Sequence, residues 1–435
     1  MKNILCITDS MDDCKEITKG NAVYFFAICQ LKPSQHNFSF FKAAFENLAR
    51  QVDLSKIDLI FAEYIESLPI IYFIRQKGFY CPALLIPHTN AYPLTILSYF
   101  ILLKCYAHPE DIILCGSENA ALAYKKMLGI DAKAIATFGI KSYFKPLDRD
   151  CCRHALRLPK TKKLLLFTGR FMNDKGLETL LSIYSSLLQH TDQSLQLVIS
   201  TSHIDPPYYN ALAHQTQNTI IYYRLSRDHL IKLYNAADVY VSCALSIFET
   251  YGKAPLEAIA CGTPVIVPDW DGFPYYITPN RGWLAKVNFM DTPFASPYQF
   301  ARIDQEDFSQ KILNCLRKKQ TVNPILPEWA YYDATLLRIR NLIKDHFTDA
   351  VTKKFFRPSD RKLSVINKNS FSEGINEFFQ YHRIKLSEDL IARSDAQHFL
   401  VENYPKNIII LKKLHNEIFM STHLTREKMT CLEEM

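Results

Sequence analysis

The chain runs twice through the same alternation of short apolar stretches and longer amphipathic ones, and that repeated rhythm limits the folds open to it. KNILCIT (2–8), IDLIFAE (57–63), PALLIPH (82–88), DIILCGS (111–117) and AKAIATF (132–138) read as strands. Several are apolar nearly throughout, as strands covered on both faces must be. NAALAYKKMLG (119–129) reads as a helix closing at Gly129. Strands alternating with helices imply a parallel sheet with helices on both sides. GIKSYFKPLDRD (139–150) interrupts with Gly, Pro and charge, and the rhythm then restarts. Strands are expected at 162–168, 195–200, 219–223, 238–243 and 264–267, with helices from Gly176, near 207–217 and near 226–236.

Two sheet-and-helix halves of similar size are therefore expected, over 1–147 and 148–347. Ligands of such sheets collect at the carboxyl ends of the strands, so two halves facing each other would bind in a cleft. From 348 the character changes to a basic, loop-like stretch followed by helical patterns, and 348–435 is expected to be a helical extension.

At 435 residues the chain is too long for one ordinary core. Its 48% hydrophobic and 22% charged content is that of a soluble globular protein. The net charge of +7 suits anionic small molecules or an anionic membrane surface. No dense Lys/Arg stripe accompanies it, so nucleic acid is not an expected partner. The twelve cysteines include no CxxC and no Cys/His pair at zinc spacing. MKNILCITDS is not a secretory signal. Together these imply reduced thiols and a cytoplasmic location. YPLTILSYFILLKCY (92–106) is shorter than the roughly 20 residues that span a bilayer and reads first as a buried helix. With KKFFRPSDRK (353–362) it leaves peripheral contact at the inner face of a membrane as the second reading.

FETYGKAPLEAIACGTPVI (248–266) holds two acids, Glu249 and Glu257, around a Gly, a Lys and a Pro. Pro255 suits the first helical position, which makes Ala254 the cap and puts Glu257 in the first turn. The TYGK loop then offers backbone amides at the positive end of a helix, a seat for an anion. Gly252 lets the backbone approach a ligand, and Cys261-Gly262 stops the helix. Singly, Glu257 reads as an acid favoured by the helix dipole and Glu249 as an ordinary loop acid; their pairing after an apolar strand points to function. In LLLFTGRFMNDKGLETLLSIYSSLL (164–188) an apolar strand enters Gly169-Arg170, and Lys175-Gly176 opens an amphipathic helix. A guanidinium fork and an ammonium point charge bracketing one turn suit a diphosphate, although two solvated cations would read the same way. LLIPHTNAYP (84–93) places His88 just past a strand, as a site residue or as a satisfied surface histidine.

GRFMNDKG together with FETYGKAPLEAIACGTPVIVPDWDG resembles the signature of glycosyltransferase family 4, the retaining transferases of the GT-B fold. The pair Glu249 and Glu257 matches that family's E-x7-E spacing, and NTIIYYRLSRDHLIKLYNAADVYVSCALSIFETYG resembles the run up to the first acid. The resemblance implies two Rossmann-like α/β domains facing across a cleft, an acceptor domain and then a donor domain. By it, Gly169, Arg170 and Lys175 would form the turn that holds the donor's pyrophosphate. Glu257 would accept from the ribose hydroxyls, and Glu249 would touch the transferred sugar. Amides of Tyr251, Gly252, Lys253 and Ala254 would meet the sugar and phosphates. Arg224, where the family often has Gly, would lie beside the base. His88 would orient the reacting sugar and stabilise charge. The family's Gly-rich loop after the first strand is missing, since residues 8–26 offer only Gly20, and Ser200 and Ser202 stand where glycines are frequent.

The implied activity moves a sugar from a UDP- or GDP-hexose type donor to a hydroxyl acceptor (a glycan, a lipid-linked group or a small molecule) with retention. No protein nucleophile, no metal and no cofactor beyond the nucleotide sugar is expected, because the cations and the helix end answer the phosphate charge. A nucleotide-sugar epimerase on the same scaffold and a non-catalytic sugar-nucleotide-binding protein are the alternatives.

Overall fold

The structure of the protein is a computed structural model that describes residues 2–27, 38–88, 108–118, 120–121, 132–134, 139–190, 194–246, 249, 251–270, 272–289, 301–317, 322–345 and 347. The expected extension over 348–435 and the apolar run over 92–106 lie outside the described residues, as does most of the helix expected over 119–129.

The chain forms two compact units. The second runs from Phe138 to Ala334, and the described residues from Thr335 onward group with the first. The stretch read as a linker begins as part of the second unit. Ile140 N–H donates to the Ala330 carbonyl at 2.8 Å, and Tyr332 N–H donates to the Ile140 carbonyl at 2.8 Å. A side chain on Gly139 would begin 2.2 Å from that Ala330 oxygen, so only glycine allows this pairing.

The first unit is built on β1 (Asn3–Thr8), β2 (Ala22–Ala27), β3 (Leu59–Glu63), β4 (Ala83–Ile86), β5 (Ile112–Cys115) and β6 (Ala132–Ala134). They form one six-stranded sheet in the order β2-β1-β3-β4-β5-β6, with every pairing parallel. Helices Met11–Ile17, Phe38–Gln51 and Ser67–Gln76 connect them. The central strands β3, β4 and β5 are buried at every position, which explains sequences that are apolar but for Glu63 at the end of β3. Strand β2 was not anticipated. It lies at the sheet edge with one buried residue, Phe26, although its sequence AVYFFA is apolar throughout; directly behind the Lys19-Gly20-Asn21 turn, that run reads as part of a loop. Arg75, only 1% exposed, is neutralised by Asp111 through contacts of 2.7 and 2.6 Å and donates to the Cys81 carbonyl at 2.8 Å.

The expectation of reduced thiols is corrected at one pair: Cys6 and Cys14 form a disulfide. Cys6 lies within β1 and Cys14 on the inner face of the helix that follows, and the short turn between them brings their Cα atoms to 6.6 Å. Among the described residues Cys81, Cys115, Cys151, Cys152, Cys243, Cys261 and Cys315 are free thiols.

The second unit contains β7 (Lys163–Thr168), β8 (Leu195–Thr201), β9 (Thr219–Tyr223), β10 (Val239–Val241), β11 (Val265–Pro268) and β12 (Gly282–Ala285), in the order β12-β11-β10-β7-β8-β9 and parallel throughout. A small antiparallel ribbon pairs β13 (Val287–Phe289) with β14 (Ala301–Ile303). The sheet packs against the helix Leu177–His190 through Leu165, Phe167, Leu177, Leu180, Leu181 and Ile199, all buried. Each such side chain contributes about 1.5–3 kcal/mol by leaving water. Arg153 fastens the helix Arg149–Ala155 beneath the sheet, contacting Asp238 at 2.7 Å, and that carboxylate also accepts from Leu164 N–H at 2.7 Å.

Both sheets therefore have a point where consecutive connections diverge to opposite sides: between β1 and β3 in the first unit, and between β7 and β10 in the second. In open α/β sheets the crevice above the strand ends at such a point is where ligands bind.

Candidate functional site

In the second unit β7 ends at Thr168 and the chain continues through Gly169 and Arg170 into a single 3-10 turn, Asn173–Lys175. Gly176 then takes the left-handed conformation (φ 65°) and starts the long helix. Gly176 is required for a second reason, since a Cβ there would lie 2.1 Å from the carbonyl oxygen of Cys243. Cys243 lies two residues past β10, so this contact draws the Lys175 turn against the segment leading to Glu249. Lys175 Nζ meets Glu249 Oε2 at 2.6 Å.

The cations form a chain of alternating charge. Arg170, half exposed, contacts Asp174 at 2.8 Å, Asp174 lies 3.7 Å from Lys175, and Lys175 ends on Glu249. Burial alone would pull the Lys175 ammonium down, but the Glu249 and Asp174 carboxylates outweigh it and hold Lys175 above its ordinary value. Lys175 is thus a fixed positive charge at any ordinary pH.

The second acid sits on the helix Lys253–Ala260. Its start differs from the expectation. Gly252, not Ala254, is the N-cap, and Pro255 is the third helical residue, which places Glu257 beyond the first turn. Proline is accepted there because the first four N–H groups of a helix have no partner within it. The amides of Lys253 and Ala254 remain at the positive helix end, as an anion seat requires. Gly252 is left-handed (φ 74°), and a Cβ there would meet the Phe273 ring at 2.4 Å. Its carbonyl accepts from the Tyr276 hydroxyl at 2.9 Å. Tyr251, buried, stacks edge-on against Tyr276 and Trp329, with centroids 6.0 and 6.2 Å away. The helix stops where the sequence indicated, at Cys261 and a left-handed Gly262.

Glu257 accepts a hydrogen bond from the Tyr234 hydroxyl at 2.7 Å, and that hydroxyl is also 2.7 Å from Thr168 Oγ1. Thr168 is the last residue of β7, so this chain of polar groups links the second acid to the root of the Gly169-Arg170 turn. Burial pushes the Glu257 carboxyl up to about 7, and the Tyr234 hydrogen bond and Lys253 charge only partly oppose it. Tyr234 and Asp174 were not singled out from the sequence. Tyr234 lies 23 residues before Glu257, so nothing short of the tertiary fold reveals the pairing.

Arg224 lies elsewhere on the same sheet. It follows the edge strand β9 in a left-handed conformation (φ 53°), is exposed, and rests over the Tyr223 ring at 5.0 Å. Its Nε donates to the Ser202 carbonyl at 3.4 Å, and no hydrogen bond or ion pair among the described residues joins it to Lys175, Glu249 or Glu257.

His88 belongs to the first unit, two residues past β4, and is half-buried. Its Nε2 is 2.7 Å from Glu63 Oε1, and its ring tilts against Tyr64 at 4.8 Å. His88 and Tyr64 both have left-handed backbones (φ 55° and 63°), a conformation that costs a residue with a side chain about 1–2 kcal/mol.

Residues 148–295 match the family described as glycosyl transferases group 1. The chain is 32% identical over 123 residues to an uncharacterized glycosyltransferase, MJ1607, of Methanocaldococcus jannaschii, covering 28% of this chain and 30% of that protein. It is 28% identical over 283 residues to alpha-monoglucosyldiacylglycerol synthase of Streptococcus pneumoniae, covering 62% and 59%. The chain thus spans between about a third and three fifths of the length of these curated relatives. Among solved structures, Anabaena Alr3699/HepE in complex with UDP-glucose superposes with a TM-score of 0.55 at 15% identity, over 79% of this chain and 98% of that one. That likeness establishes the fold: two Rossmann-like α/β units of the GT-B type, as the sequence rhythm and motifs implied.

Proposed function

We propose that this chain is a retaining glycosyltransferase of the family 4 kind that moves a hexose from a UDP- or GDP-sugar to a hydroxyl acceptor without a metal ion. The observation that carries the reading is the convergence of Lys175, Glu249 and the Gly252 loop at the β7/β10 divergence point, inside the segment matched by the group 1 family. Arg170 and Lys175 supply two positive groups for a diphosphate, and the amides of Lys253 and Ala254 add the partial charge of a helix end. A donor's phosphates would take over the bonds that Asp174 and Glu249 now make to these cations, which turns Glu249 toward the sugar hydroxyls. Glu257, whose Oε2 already accepts from Tyr234, offers the lone pairs of its other oxygen to the ribose.

In a retaining displacement on one face of the sugar, the leaving phosphate carries the growing negative charge. Fixed cations placed there lower the barrier without any covalent intermediate on the protein. His88 is the candidate for orienting hydroxyls from the first unit. The donor complex of the Anabaena structure supports trying UDP-glucose first, and the pneumococcal relative supports including a lipid-linked acceptor, which would bring the protein to a membrane surface. Among the described residues no helix is long and apolar enough to cross a membrane.

The test is calorimetric binding and hydrolysis of UDP-glucose, UDP-galactose, UDP-N-acetylglucosamine and GDP-mannose, with Lys175→Ala beside the wild type. One donor should bind and be turned over slowly with water as acceptor. Lys175→Ala should lose turnover and bind the nucleoside diphosphate about 10- to 100-fold more weakly, the worth of a charge-assisted hydrogen bond. Unchanged turnover in that variant, or conversion of the donor to an epimeric nucleotide sugar with no acceptor present, refutes the assignment.

A further inference from the structure

The divergence point of the first sheet carries a second polar cluster. Thr8 is the last residue of β1 and Glu63 the last of β3, and these two strands are neighbours at the point where the connections part. Thr8 Oγ1 donates to Glu63 Oε2. Glu63 Oε1 faces His88 Nε2 at 2.7 Å. Thr8 is fully buried and Glu63 is 5% exposed, whereas the His88 side chain keeps 25% of its surface exposed. A line of groups therefore runs outward from a buried hydroxyl, through a buried carboxylate, to an imidazole at the surface. The backbone at both Tyr64 and His88 is left-handed, and the Tyr64 ring leans on the imidazole at 4.8 Å. Unfavourable backbone conformations persist where the surroundings hold them, and two residues of this kind around one ring fix its place.

A carboxylate only accepts hydrogen bonds. With Thr8 donating to one oxygen, the other accepts from Nε2–H of His88, which sets both the tautomer and the plane of the imidazole. The same carboxylate faces any positive charge the ring gains as it bonds a polar ligand. A buried acid whose two oxygens are both bound, and whose outward partner is a half-exposed histidine at a ligand-binding edge, has the arrangement of an orienting group.

We propose that Glu63 is the positioning residue of His88, held by Thr8, and that it acts through the imidazole to align a sugar hydroxyl during transfer. This rests on the reading of the chain as a glycosyltransferase with His88 facing the sugar. Glu63 itself touches no substrate.

The experiment is a double-mutant cycle with Glu63→Gln, His88→Ala and the pair, measured as kcat and KM for hydrolysis of whichever nucleotide sugar the wild type turns over. Calorimetric nucleotide binding and the ring NMR signals of His88 are recorded alongside. Glu63→Gln should lower kcat about 10- to 100-fold, the scale of a slightly misplaced reacting group, with KM and nucleotide binding within about twofold of wild type. In the His88→Ala background the same change should cost less than about twofold, because a group acting through the ring has nothing left to act on. The downfield Nε2–H proton of His88 should move upfield in Glu63→Gln. Thr8→Val, which keeps the shape of the side chain, should give a smaller loss in the same direction, so the proposal remains testable if Glu63→Gln folds poorly. Equal losses in both backgrounds mean a structural role and overturn the proposal. Full activity of Glu63→Gln in an active wild type overturns it while leaving the glycosyltransferase reading intact. A wild type that binds and turns over no nucleotide sugar overturns both.

Discussion

If Glu257 receives the ribose as proposed, proton binding to it should act on donor binding and on stability with opposite signs, and Glu257→Gln separates the two. Burial lifts its carboxyl from the ordinary 4.5 to about 7. An acid whose folded value is raised destabilises the folded state once the unfolded chain would ionise. The penalty is absent below about pH 4.5, grows as pH rises, and is complete above about 7. A displacement of that size corresponds to no more than about 3 kcal/mol, less a share for the residue's partial exposure. Glu257→Gln keeps an oxygen to accept from Tyr234 and removes the charge, so it should be more stable than wild type at pH 8 and no more stable at pH 4.5.

Binding runs the other way. Two ribose hydroxyls need an ionised acceptor, so affinity for UDP-glucose should rise about tenfold from pH 6 to pH 8 and level off above, a span of about 1.4 kcal/mol. UDP-glucose is the right probe because its phosphates do not titrate in this range, and Lys175 stays charged throughout. Calorimetry at pH 6, 7 and 8 in buffers of differing ionisation enthalpy should also detect proton release on binding. Wild-type affinity that is flat across this range, or a Glu257→Gln variant that binds as well as wild type, refutes the reasoning.

Gly176→Ala should unfold the second unit or lower its stability by about 3 kcal/mol or more, since a Cβ would meet the Cys243 carbonyl at 2.1 Å and the residue is left-handed; thermal melting decides it. Asp174→Asn removes an internal counter-ion of Arg170 and Lys175 and should tighten UDP binding about 3- to 10-fold, with slower product release seen in the turnover rate. Transfer should survive exhaustive treatment with EDTA, measured as turnover before and after readdition of Mg²⁺ or Mn²⁺, and loss restored by metal would contradict the metal-free proposal.

What the sequence revealed depended on how local the physics is. β7 and β8 were legible because strands buried on both faces cannot hide among polar residues, and the edge strand β9 because its TIIYY run is β-branched and aromatic. The edge strand β2 escaped although AVYFFA is an apolar run, because it follows a polar, Gly-containing stretch that reads as one loop with it. Cys261-Gly262 marked the helix end correctly, since a left-handed glycine stop is a local signal. Pro255 misplaced the start by two residues, because proline is equally at home at any of the first helical positions. The grouping of Lys175 with Glu249 could be suspected only through a family motif, and the bridging Asp174 and the phenol of Tyr234 were passed over. Glu63 looked like a stray acid closing an apolar run. Its partners lie 55 and 25 residues away, and only the order of strands brings them together. The Cys6–Cys14 bond was hidden for a similar reason, since its spacing matches no common motif.

Anyone recombining or randomising the loops above β7 and β10 meets a fixed point at position 176. The carbonyl of Cys243 occupies the place where a side chain would begin, so the two strand ends are joined there by the lack of an atom. Diversity introduced at Asn173, which is exposed, should be tolerated by the fold, while libraries that vary position 176 should return mostly unfolded members. The part of the turn that accepts new side chains thus ends a few residues short of a position that accepts none.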